Sequence, residues 1–92
     1  GPITTTEINL VTLNNSSIKV SDINDICKSH YKIGVVLNDV AQQVLLSKNI
    51  SPKQIVTTAG KQAIVKNLKA LLGHKIDIFA CNFIGAKYSA KL

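Results

Sequence analysis

The sequence predicts an α/β domain, a three-layer sandwich with a mostly parallel open sheet between helices. Three observations carry this. Short apolar or β-branched runs alternate along the chain with segments whose apolar residues recur at helical spacing. Two of the runs, Ile33–Leu37 and Ile76–Cys81, are apolar throughout except for Asp77, the composition of strands covered on both faces. The connections between elements are short, as they are where each strand is followed at once by its own helix.

Each element has a local reason. Ile8–Leu13 has β-branched and apolar character and is the first strand, followed by the turn cluster Asn14-Asn15-Ser16-Ser17. Ser21 stands as the N-cap of a short helix through Ile23, Ile26 and Cys27. Ile33–Leu37 is the second strand. It turns through Asn38 and Asp39 into a helix from about Val40 to Ser47, with Val40, Ala41, Val44 and Leu45 inward and Pro52 helping to end it. Gln54–Thr57 is a third strand, and Thr58 is placed to cap a helix over about 60–72. There Ala63, Ile64, Leu68, Leu71 and Leu72 form the apolar stripe, Lys61, Gln62, Lys66 and Lys69 lie outside, and Gly73 is the C-cap glycine. Ile76–Cys81 is the fourth strand, and Asn82 begins a last helix from Phe83 to Ala90. The order is βαβαβαβα. The carboxyl edge of such a sheet is where ligands gather, and it carries Asn38-Asp39, Thr57-Thr58-Ala59-Gly60 and Cys81-Asn82.

The totals set bounds. The 92 residues make one domain, and 46% apolar content without Trp or Met supports an aliphatic core. No apolar run is long enough for a membrane span. Gly1-Pro2 reads as the remnant of a cleaved tag, so the natural chain is expected to be longer. Net charge is +6, all from scattered lysines with no arginine. That composition fits a solvated basic face better than a nucleic-acid interface. Cys27 and Cys81 have no metal-ligand spacing; they are either buried thiols or, in an oxidising compartment, a disulfide. His30 and His74 flank turns with no second ligand nearby. Asp77 lacks a partner carboxylate and reads as a hydrogen-bonded structural residue. With no phosphate loop and no nucleophile–base pair, no enzyme, cofactor or metal is expected.

The segments "IKVSDINDI", "YKIGVVLNDVAQQVLL" and "KQIVTTAGKQAIVKNLKALLGHKIDIFACN" together span residues from Ile18 to Asn82. In order and spacing they resemble the second lobe of bacterial extracellular solute-binding proteins of the amino-acid-binding type (family 3). The resemblance covers about residues 8–90 and implies a periplasmic-binding-protein-like lobe, cut from or standing apart from a two-lobe parent. It implies a periplasmic or extracellular protein that closes by a hinge on a small solute, a missing first lobe, and a membrane transporter or receptor as partner. Its ligand positions fall on Asn38, Asp39, Val40, Thr58 and Asn82. Where the family has small and hydroxyl residues holding a ligand carboxylate, this chain has Asn38-Asp39-Val40; the family's glutamate in the following helix corresponds to Gln42, and its acidic residue after the last strand to Asn82. A negative Asp39 caps its own helix and repels an anion, so the ligand is expected to be neutral or cationic. The plainer readings of Asp39, Thr58 and Asn82 are helix caps. The rival function is a small basic module that binds an acidic partner or nucleic acid.

Overall fold

The computed structural model describes residues 8–13, 18 and 23–82. Ser21 as a cap, the Phe83–Ala90 helix and the tag-like Gly1-Pro2 lie outside them. The elements in order are β1 (Asn9–Val11), α1 (Ile23–Cys27), β2 (Ile33–Val36), α2 (Val40–Ser47), a 3-10 turn (Pro52–Gln54), β3 (Ile55–Thr58), α3 (Ala63–Leu72) and β4 (Ile78–Cys81). They form an α/β fold around one four-stranded mixed sheet, in the order β1-β4-β2-β3. β2 pairs parallel with β3 on one side and with β4 on the other. β1 runs antiparallel to β4, Asn9 opposite Cys81 and Val11 opposite Phe79. The sheet is thus mostly parallel, and its one antiparallel strand among the described residues is β1.

Alternation along the strands sorts the core into two clusters. Ile33 and Val35 of β2 with Ile78 and Ala80 of β4 face Ile26 of α1 and Ala41 and Leu45 of α2, joined by Ile50. Val11, Phe79 and Cys81 face the other way and pack with Leu71 of α3 and with Ile76. Each fully buried aliphatic side chain here contributes about 1.5–3 kcal/mol relative to exposure. The direction of travel explains the two faces. The chain steps from β2 to β3 through α2, then back past β2 to β4 through α3. Crossovers of one hand taken in opposite directions place their helices on opposite faces.

Both long helices stop in the same way. At the end of α2, Asn49 has φ 63°; its N–H donates to the Leu46 carbonyl and that of Ile50 to the Leu45 carbonyl. At the end of α3, His74 has φ 59°; its N–H donates to the Leu71 carbonyl and that of Lys75 to the Ala70 carbonyl. These are Schellman pairs, closed in the first case by burial of Ile50 against Leu45. The sequence points to Gly73 as the terminating glycine, but Gly73 keeps φ −87° and the left-handed position falls one residue later, on His74.

Two further expectations are corrected. Thr58 does not cap a helix: it ends β3, and α3 starts only at Ala63, with Gln62 before it. Leu72, placed on the inner stripe of α3, is 53% exposed, while Asn67 is buried in its stead. Asn67 is accommodated because its Nδ2 donates to the Ala63 carbonyl at 2.9 Å, and because Gly34 beneath it has no side chain. A Cβ on Gly34 would collide with Asn67 Oδ1 and come within 2.5 Å of Ile76 Cδ1. The sequence left the Cys27–Cys81 pairing open; the structure holds both as thiols, Cys27 exposed and Cys81 buried.

Two outcomes follow for stability. Gly34→Ala overpacks the α3 face and should lower unfolding free energy by about 1–3 kcal/mol in urea titration. His74→Gly relieves a left-handed non-glycine residue and should raise it by roughly 1 kcal/mol in the same assay.

Candidate functional site

The carboxyl edge of the parallel strands gathers the site residues. β2 ends at Val36, and the chain turns through Leu37 and Asn38, the latter at φ 64°. Asparagine is among the few non-glycine residues that take this left-handed position readily. Asp39 then takes the N-cap of α2 in extended geometry, φ −75° and ψ 153°. Its N–H donates back to the Val36 carbonyl at 3.0 Å, and its carbonyl accepts from Gln42 N at 3.1 Å.

The Asp39 side chain does not cap α2. Its Oδ2 accepts instead from the backbone N–H of Asn82 at 3.3 Å, beyond the end of β4. The cap-like service comes from Gln42, whose Oε1 accepts from Asn38 N at 3.1 Å. That is the reach-back of a third-position glutamine, shifted by one residue. Gln42 Nε2 leans toward Thr57 Oγ1 at the long distance of 3.5 Å, so one side chain spans from the α2 turn to β3. The reading of Asp39 as a plain helix cap is therefore corrected: it occupies the position but spends its carboxylate on the neighbouring strand end.

The structure brings Asn38, Asp39, Val40 and Asn82 to one edge. Asn38 is exposed, while Asp39, Val40 and Asn82 are half-buried. Thr58 joins them through the backbone, its carbonyl accepting from Leu37 N at 2.9 Å. The connections leaving β2 and β3 go to opposite faces of the sheet, the arrangement in which open α/β sheets form their ligand crevices. Gln42 and Thr57 were reached by sequence only as neighbours of the site; the glutamine three residues after the N-cap was the available signal for the former.

Chemically the edge offers a carboxylate with one backbone donor and the free end of Asn38. It offers little to an anion: the Asn38, Asp39 and Asn82 N–H groups are all engaged within the protein. Among the described residues no three His, Cys, Asp or Glu side chains are placed to hold a metal ion. A shallow open groove of about 150 Å³ lies round the corner, lined by Gln42, Leu46, Pro52, Ile55 and Thr57.

Asp77 lies at the opposite edge. Its Oδ2 accepts from Lys32 N at 2.8 Å while its own N–H donates to the Lys32 carbonyl at 2.8 Å. This two-way clamp fixes the entries of β2 and β4 side by side and makes Asp77 structural. Gln54 is a similar staple that sequence reading missed: its Nε2 donates to the carbonyls of Ser29 and Tyr31, each at 3.0 Å. His30 and His74 are exposed.

The Asn38 conformation can be checked directly. Asn38→Gly should leave stability within about 0.5 kcal/mol, whereas Asn38→Ala should cost about 1 kcal/mol or more, read by thermal and urea unfolding. Asp77→Ala should cost about 1.5–3 kcal/mol in urea unfolding, the range for a hydrogen bond to a charged acceptor.

No family model, no curated protein and no solved structure matches the chain.

Proposed function

We propose that this chain is a non-catalytic solute-binding lobe, the second of a two-lobe protein of the bacterial extracellular, amino-acid-binding type. In this reading it is a three-layer sandwich whose carboxyl edge forms half of a ligand cleft. One observation supports the proposal above the others. Because β1 runs antiparallel, Asn9 stands opposite Cys81, at the same edge as Asn38, Asp39, Thr58 and Asn82. Strand β1 therefore begins, and β4 ends, beside the candidate site. Chain passing to another lobe from either place crosses at the mouth of the cleft, which is where a hinge must lie for two lobes to close on one ligand.

The mechanism is closure driven by differential affinity. A solute that touches both lobes binds the closed form more tightly and shifts the population toward it. Asn38, Asp39, Val40, Thr58 and Asn82 supply this lobe's contacts, and Asp39 selects neutral or cationic solutes over anions. The setting is periplasmic or extracellular, and the partner that senses closure is a membrane transporter or a receptor.

The rival reading, a basic module for an acidic partner or nucleic acid, has its own observation. The exposed lysines 61, 66, 69 and 75 cluster on and around α3, while Asp39 and Asp77 are each engaged with backbone N–H groups. A basic surface of that kind binds nucleic acid with an affinity that falls steeply as salt rises.

The test is a solute titration of the 92-residue chain by amide chemical shifts, with diamines, amino-acid amides and sugars against glutamate as the anionic control. Shifts are expected at Asn38–Val40, Thr58 and Asn82 with the neutral or cationic solutes and not with glutamate. Asp39→Asn should weaken a cationic solute by roughly fivefold, about 1 kcal/mol. In the two-lobe protein, small-angle scattering should show compaction on binding. A panel that moves none of these amides and produces no compaction sinks the proposal, and salt-sensitive oligonucleotide binding in its place selects the rival.

A further inference from the structure

The outer edge of β3 is independent of the cleft. Among the described residues β3 is the last strand of the sheet, and the ladder fixes its backbone polarity. The Thr58 carbonyl points inward, accepting from Leu37 N. Alternate residues of a strand direct their N–H and C=O to opposite sides, so Ile55 and Thr57 direct theirs outward. The Ile55 N–H is taken by the Pro52 carbonyl. Among the described residues nothing pairs with the Ile55 carbonyl or with either backbone group of Thr57, which leaves them to a neighbouring strand.

Edge strands are ordinarily blunted by a lysine, a proline or a bulge within them. Ile55-Val56-Thr57-Thr58 has none of these; it is β-branched throughout. Val56 is 40% exposed and Leu46 is 46% exposed. The groove of about 150 Å³ runs along this edge, between β3 and α2, with Leu46, Pro52 and Ile55 supplying apolar walls and Gln42 and Thr57 supplying polar ones. A strand laid beside β3 would direct alternate side chains over that groove.

Charge decides the occupant. Exposed Lys53 precedes the strand, exposed Lys61 follows it, and exposed Lys48 follows the helix that walls the groove. A second copy of this chain would bring the same lysines and another net charge of +6 to the contact, which opposes edge-to-edge pairing of copies. An acidic segment meets complementary charge at both ends.

We propose that the outer edge of β3 receives an extended acidic peptide segment of a partner protein as an added strand. Backbone pairing to Ile55 and Thr57 gives affinity, the α2 groove takes one or two apolar side chains, and Lys53 and Lys61 choose acidic over basic sequences.

The experiment uses the 92-residue chain and a capped peptide of about eight residues alternating glutamate and valine, with the lysine–valine peptide as control. Fluorescence anisotropy should show saturable binding of the glutamate peptide that weakens with salt, and no binding of the lysine peptide. Hydrogen exchange of the Thr57 amide should slow in the complex. Thr57→Pro removes that outward N–H without touching the β2 ladder and should weaken binding about tenfold. Lys53→Glu, at an exposed position that leaves the core intact, should weaken it as well and keeps the test open if the proline variant does not fold. Failure of the glutamate peptide to bind, equal binding of both peptides, or binding that leaves Thr57 exchange unchanged overturns the proposal. So does concentration-dependent dimerisation of the free chain that Thr57→Pro abolishes, since it gives the edge to a second copy.

Discussion

A strand that is paired along both edges and covered on both faces has no freedom left, and β2 is that strand here. Ile33, Gly34 and Val35 are all buried, with β3 on one side and β4 on the other. Its residues alternate between the two apolar clusters, Ile33 and Val35 toward α2 and Gly34 toward α3. The missing side chain at Gly34 sets how closely α3 can approach, and the buried Asn67 fills the space that results. The Asp77–Lys32 clamp fixes the start of this strand, and the Asn38 turn fixes its end. The carboxyl edge of the sheet is therefore a consequence of how one strand is held, and any change that displaces β2 displaces the whole edge.

Much of this was legible because the physical signals were local. The strand Ile33–Val36 and the helix Val40–Ser47 follow from an unbroken apolar run, then a turn pair, then helical spacing. The grouping of Asn38, Asp39 and Asn82 followed from the rule that parallel strands share one carboxyl edge. What was not legible depended on contacts between distant segments. The antiparallel sense of β1 is set by its partner β4, and nothing within Asn9–Val11 encodes it. Asp39 sits where a capping residue belongs, yet the proximity of Asn82 redirects its carboxylate. The α3 stripe was misjudged at both Asn67 and Leu72, because the notch over Gly34 favours an amide at one position and the end of the helix runs out into solvent at the other.

The helix ends show the limit of reading residue type alone. Glycine is the strongest stop signal, and Gly73 is present at the end of α3, but the left-handed residue is His74. At α2 the same role falls to Asn49. In both cases the pair of backbone bonds back to the last turn defines the stop; at α2 burial of the next side chain, Ile50, adds to it, whereas Lys75, which follows His74, is exposed.

The antiparallel pairing of β1 with β4 also bears on how the chain comes together. β2 pairs with β3, the next strand in the chain, so that part can organise while still growing. β1 must wait: Val11 meets Phe79 only after nearly all of the intervening chain exists, and closing so long a loop is entropically costly. During synthesis the first strand is thus exposed and uncommitted until the last one emerges. Phe79 and Cys81 likewise lack part of their cover until Val11 docks, so this one pairing also completes one of the two apolar clusters.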